Sequence, residues 1–154
     1  MYLVLASKSP RRKEILANAG YNFKVIVSSV DENVEETSPI EKVAAIARKK
    51  GLDVYSKCTQ DAVVISADTI VCINDEILGK PKDIDDARKM ISMLQGKTHQ
   101  VYTAVFIKSS NDEYQFVEKT DVHVANMTSD QIENYIKTTE PYDKAGGYGI
   151  QGIF

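Results

Sequence analysis

Asp68 interrupts the apolar run 63–71. Aspartate is depleted in strands, and a buried carboxylate is unfavourable unless it is paired or bound to a metal. The residues alone leave two readings open. In one, the strand ends at Asp68, which caps a turn. In the other, the carboxylate faces a pocket and does chemistry. Apolar sequence resumes directly after Thr69, which favours the second. Ala67 and Thr69 are small and leave room for a substrate.

Three further clusters carry charge in places that invite a ligand. Arg11-Arg12 follows Ser7-Lys8-Ser9-Pro10, in the first turn of an expected helix, where the macrodipole disfavours cations. The backbone N–H groups at such a turn attract anions. Two arginines with the Ser7 and Ser9 hydroxyls therefore suit a phosphate cradle; the alternative is a solvated basic turn paired with Glu14 or nearby carboxylates. Lys80 stands between Gly79 and Pro81, where it either reaches a ligand or points into solvent. The segment 143–152 is rich in glycine and includes Gln151; such a loop either wraps a ligand closely or is a flexible end.

Two motifs are decoys. Residues 147–152 match G-x-G-x-x-G, yet no strand precedes them and no helix follows. Gly96-Lys97-Thr98 resembles the end of a P-loop, but Ile91 occupies the required first glycine. His99 and His123 lack metal-ligand spacing.

The elements that must position these groups are readable from periodicity. Residues 2–6 form a short buried strand. A helix follows, capped by Ser9, opened by Pro10, given an apolar side by Ile15, Leu16 and Ala19, and stopped by Gly20. Residues 23–27 form a second strand. Ser38-Pro39-Ile40-Glu41 reads as a capping box, opening a helix that Gly51 ends. Residues 62–73 form a buried central strand, and 74–76 a turn. A helix over 84–95 starts at Asp83 and stops at Gly96. Strands over 101–108 and 116–125 flank a turn at 109–113, and the second alternates so that one face is wet. Thr128 with Gln131 makes another capping box, for a helix to about 138. Residues 141–152 read as a loop. The order β-α-β-α-β-β-α-β-β-α-loop defines an α/β fold on a mixed sheet.

The 154 residues fit a single domain over 1–154. Nineteen basic against 22 acidic residues leave a net charge of −3, which argues against a surface that coats nucleic acid. Two cysteines make a disulfide scaffold an unattractive reading and point to a reducing compartment. No apolar stretch approaches the ~18 residues of a membrane helix, so a cytoplasmic protein is expected.

Five segments together resemble the Maf family across essentially the whole chain: Leu5-Ala6-Ser7-Lys8-Ser9-Pro10-Arg11-Arg12, Ser66-Ala67-Asp68-Thr69, Gly79-Lys80-Pro81, His99-Gln100-Val101-Tyr102-Thr103, and Glu140-Pro141 with Asp143-Lys144-Ala145-Gly146. The resemblance implies a nucleoside triphosphate pyrophosphatase that needs a divalent cation, Mg2+ or Mn2+. It implies a bent mixed sheet flanked by helices, similar to inosine triphosphate pyrophosphatase folds. It makes the acid at Asp68 the base, with Glu32 beside it at the metal, and places Ser7, Arg12, Lys50 and Lys80 around the triphosphate. Arg11, Thr69 and Gln151 match the subgroup acting on dTTP and UTP; the subgroup preferring 7-methyl-GTP has Glu where Gln151 stands.

The family also has a link to cell-division arrest. Members usually continue past the glycine-rich loop with another strand and a helix, so a chain ending at Phe154 is expected to be C-terminally truncated. An exposed sheet edge then makes lower stability, a homodimer, or a catalytically impaired nucleotide-binding regulator the competing expectations.

Overall fold

A computed structural model describes residues 1–154. The elements run β1 (Tyr2–Leu5), α1 (Pro10–Asn18), β2 (Phe23–Val25), α2 (Pro39–Tyr55), β3 (Ala62–Ile73), β4 (Glu76–Leu78), α3 (Ile84–Leu94), β5 (Thr98–Lys108), β6 (Glu113–His123) and α4 (Ser129–Ile136). Two short 3-10 helices follow, Glu140–Asp143 and Ala145–Gly147. The strand order is β2-β1-β3-β5-β6, with β4 paired to β3. β1 pairs in parallel with β2 and β3, and β4 is antiparallel to β3, so the sheet is mixed as expected. No helix is long and apolar enough to cross a membrane.

The chain divides into two compact units: Met1–Asp68 with Thr103–Glu118, and Thr69–Tyr102 with Lys119–Phe154. In the first, Val4, Ala6, Val54, Ala62 and Val64 form a buried apolar cluster. The Ser66 hydroxyl is fully buried and donates to the Ala47 carbonyl at 2.7 Å, tying β3 to α2. In the second, Val71, Ile73, Leu78, Ile91, Leu94 and Ile136 lead a larger core. There Arg88 on α3 pairs with Asp85 and with Glu133 on α4.

Several expected signals hold. Ser9 caps α1, its hydroxyl accepting from the Arg12 N–H at 3.5 Å. Asp83 caps α3, and both halves of the Thr128–Gln131 box are present. The turn 74–75 joins β3 to β4 with φ of 49° and 63° at Asn74 and Asp75.

Others are corrected. Gly51 does not end α2; it lies inside the helix, which runs on to Tyr55. A methyl group at Gly51 would stand 2.5 Å from the Ser66 hydroxyl and closer still to the Phe106 ring. The glycine is therefore there for close approach, not as a stop. Ser38 occupies the N-cap of α2, but its side chain makes no capping bond. No residue of α1 is buried, and Ile15 is exposed, so its apolar side is not a core face. β6 starts and ends earlier than expected and is exposed along almost its whole length, not on one face alone. Segment 141–152 is no plain loop: it contains both 3-10 turns, and residues 146–149 are buried.

Candidate active site

β3 continues unbroken through Asp68 to Ile73. The turn-capping reading of Asp68 is thereby overturned, and the carboxylate sits mid-strand with 13% of its side chain exposed. Its charge is balanced from α2. The Lys50 ammonium, itself 16% exposed, lies 2.7 Å from Asp68 Oδ1 and 2.8 Å from Glu32 Oε1. Burial pushes the Asp68 carboxyl above its ordinary range, with Lys50 working against that shift and the Glu32 charge adding to it. The group is a carboxylate that its surroundings make more basic than one in water.

Arg12 approaches from α1. Its guanidinium donates to the Ala67 carbonyl at 2.7 Å and to the Ser7 hydroxyl at 3.4 Å. Ser7 is buried and also accepts from the Ser9 N–H at 3.2 Å. Burial pulls the Arg12 guanidinium down, while Asp68 and Glu32 oppose the shift by charge; an arginine stays ionised regardless. The first turn of α1 is thus fastened to β3 one residue before Asp68. Arg11, by contrast, is exposed.

Glu32 is 61% exposed, and the loop that carries it is tied to α2. The Asn33 N–H and side-chain amide donate to Asp31, each at 2.8 Å, and the Lys49 ammonium donates to the Asn33 carbonyl at 3.0 Å. Asp53 accepts from the Ser28 hydroxyl at 2.9 Å and the Ser29 N–H at 3.1 Å, and pairs with Lys57. Lys49 and Asp53 are spaced i, i+4 on α2, and Lys57 follows in the turn after the helix.

The first unit therefore brings together Ser7, Arg12, Glu32, Lys50 and Asp68. Thr69, Lys80 and Gln151 belong to the second unit. Thr69 is half-buried, whereas Lys80 and Gln151 are exposed. There the Gly146 N–H donates to the Gly79 carbonyl at 3.0 Å, so the glycine-rich segment holds the turn that carries Lys80. His99, set aside as a metal ligand, is fully buried, with Nε2 2.6 Å from the Tyr148 hydroxyl.

The chain is a mixed α/β protein in which a lysine-paired carboxylate lies beside an arginine-bearing strand-to-helix turn. Its fold is similar to that of the Staphylococcus aureus Ham1 protein, with a TM-score of 0.55 at 14% identity over 82% of this chain and 73% of that one. A family model described as Maf-like protein matches residues 2–154, and the chain belongs to that family. A dTTP/UTP pyrophosphatase of Thermoanaerobacter sp. (strain X514) is 47% identical over 99% of this chain and 81% of its own. The protein of the same name from Clostridium botulinum (strain Eklund 17B / Type B) is 48% identical, over 99% and 84%.

Proposed function

We propose that this protein hydrolyses dTTP and UTP to the nucleoside monophosphate and pyrophosphate. The observation that carries the reading is the Asp68 carboxylate, paired with Lys50, which also pairs with Glu32, beside the Arg12 turn. The relatives named above point the same way.

Cleavage between the α- and β-phosphates requires charge neutralisation, alignment and an activated water. Asp68 takes one proton from that water as its oxygen bonds to phosphorus, and the α–β bridging bond breaks to release pyrophosphate. Arg12 and Lys50 supply positive charge for the phosphate oxygens, with Ser7 as a hydroxyl partner. Lys80 adds charge, and Arg11, Thr69 and Gln151 act on substrate choice; Gln151 offers both a donor and an acceptor to a pyrimidine edge.

The donor set fits a hard cation. No three His, Cys, Asp or Glu converge, but Mg2+ is commonly bound through one or two carboxylates together with substrate phosphates. Glu32 and Asp68 already converge on one cation, the Lys50 ammonium. Those two carboxylates would hold Mg2+ or Mn2+, which when bound neutralises phosphate charge and acidifies water. The cytoplasm remains the proposed compartment, on the sequence ground of cysteine usage.

Wild-type protein with Mg2+ or Mn2+ is expected to release pyrophosphate, not orthophosphate, from dTTP and UTP. Asp68→Asn is expected to lower kcat by about 10²–10⁴-fold, the span of a lost general base, with the melting transition retained. Orthophosphate as product, or full turnover by the variant, sinks the reading. Binding of dTTP without any product marks a nucleotide-binding regulator instead.

A further inference from the structure

We infer that the buried His99–Tyr148 pair is a positioning device for Lys80. The inference rests on the reading of Lys80 as a triphosphate ligand. Lys80 sits exposed on the turn between β4 and α3, and a lysine on a free turn would carry most of its rotamer and backbone freedom into binding. This turn is not free. The Gly79 carbonyl accepts from the Gly146 N–H at 3.0 Å, and Gly147 lies so close to Pro81 that a Cβ would stand 3.1 Å from its ring. Both residues flanking Lys80 are thus gripped by two consecutive glycines. Their φ angles are +71° and +75°, and a Cβ on Gly146 would crowd Val71 at 3.0 Å. A side chain at either position is strained.

The glycine pair is fixed in turn from behind. The Tyr135 hydroxyl donates to the Gly147 carbonyl at 2.9 Å. Tyr148, the next residue, meets His99 ring edge to face at 5.3 Å and 85°, with its hydroxyl 2.6 Å from Nε2. His99 is fully buried and its Nδ1 has no hydrogen-bond partner. An orphaned buried polar atom is unfavourable, so packing alone would be better served by an apolar side chain. What the imidazole adds is one strong directional bond that holds Tyr148, and through it the glycines and the Lys80 turn.

The test is a double-mutant cycle on dTTP hydrolysis. Tyr148→Phe removes one oxygen and keeps the ring. It is expected to raise KM on the order of five- to tenfold with kcat within about twofold, the pattern of lost uniform binding. In a Lys80→Ala background the same change should leave KM unmoved. His99→Gln, whose amide can still meet the hydroxyl, should restore the KM that His99→Leu worsens. An equal KM penalty with and without Lys80, or a fall in Tm with no change in KM, overturns the inference. If wild-type protein does not hydrolyse dTTP, the functional reading has failed on its own, and the same cycle is run on calorimetric binding of inorganic triphosphate.

Discussion

Asp68 and Lys50 show how one residue's placement sets what the site can bind. Lys50 occupies the point on which both carboxylates converge, 2.7 Å from Asp68 and 2.8 Å from Glu32. An ammonium there competes with any divalent cation for the same oxygens. Lys50→Met is therefore expected to tighten Mn2+ binding to the nucleotide-free protein by on the order of tenfold, about 1.4 kcal/mol, while turnover of dTTP falls. Titration of Mn2+ by electron spin resonance reads the first quantity directly, and an unchanged affinity would show that the lysine does not compete. Asp68 was legible from sequence because a carboxylate in an apolar strand is unfavourable on its face. Glu32 and Lys50 were reached through resemblance alone. Nothing in the local pattern of either residue distinguishes it from the solvated charges around it; their meaning lies in two ion pairs that each span 18 residues of chain.

At the scale of elements, α2 is set on β3 by a hydroxyl and a glycine. Ser66 donates to Ala47, and Gly51 admits Ser66 and the Phe106 ring against the helix. Lys50 is one residue from that contact, so the spacing of the helix from the strand is also the spacing of Lys50 from Asp68. Gly51→Ala would gain helix propensity of about 1 kcal/mol, yet overpacking of a filled core is unfavourable by about 1–3 kcal/mol. The expected outcome is a lower Tm together with a lower kcat/KM. A Tm that rises would show that the ring and hydroxyl yield without strain. The glycine reads as a helix stop in the sequence because propensity is local, whereas Phe106 lies 55 residues further on. The same blindness applies to residues 146–149. Their composition suggests a loose end, and only the distant partners Gly79, His99, Tyr135 and Val71 explain their burial. The capped helices and the long apolar β3 were readable because their causes are contiguous in the chain.

Across the whole molecule, two buried titrating groups pull stability in opposite directions with pH. Burial lowers His99 below its ordinary 6.5, so the unfolded chain takes up a proton first. That contribution is complete above about 6.5 and is lost as pH falls toward the folded value. Asp68 is raised above 3.8, so its contribution has the reverse sign, present below that value and lost as pH rises through the folded one. Melting temperatures measured between pH 7 and 5.5 should decline in the wild type. His99→Gln should flatten that decline, and an unaltered slope would assign it to other groups.

β6 carries the last consequence. It closes one end of the strand order and lies open to solvent, with Tyr114 and Phe116 uncovered along it. A bare aromatic border of this kind is a template on which further copies could stack into fibrils. Glu113, Glu118, Lys119 and Asp121 punctuate the same strand with charge, and Lys119 pairs with Asp121 at 3.7 Å. Charges spaced in this way along an open strand disfavour edge-to-edge stacking, so Lys119→Val is expected to raise light scattering of a concentrated solution, and an unchanged signal would assign these side chains no such role.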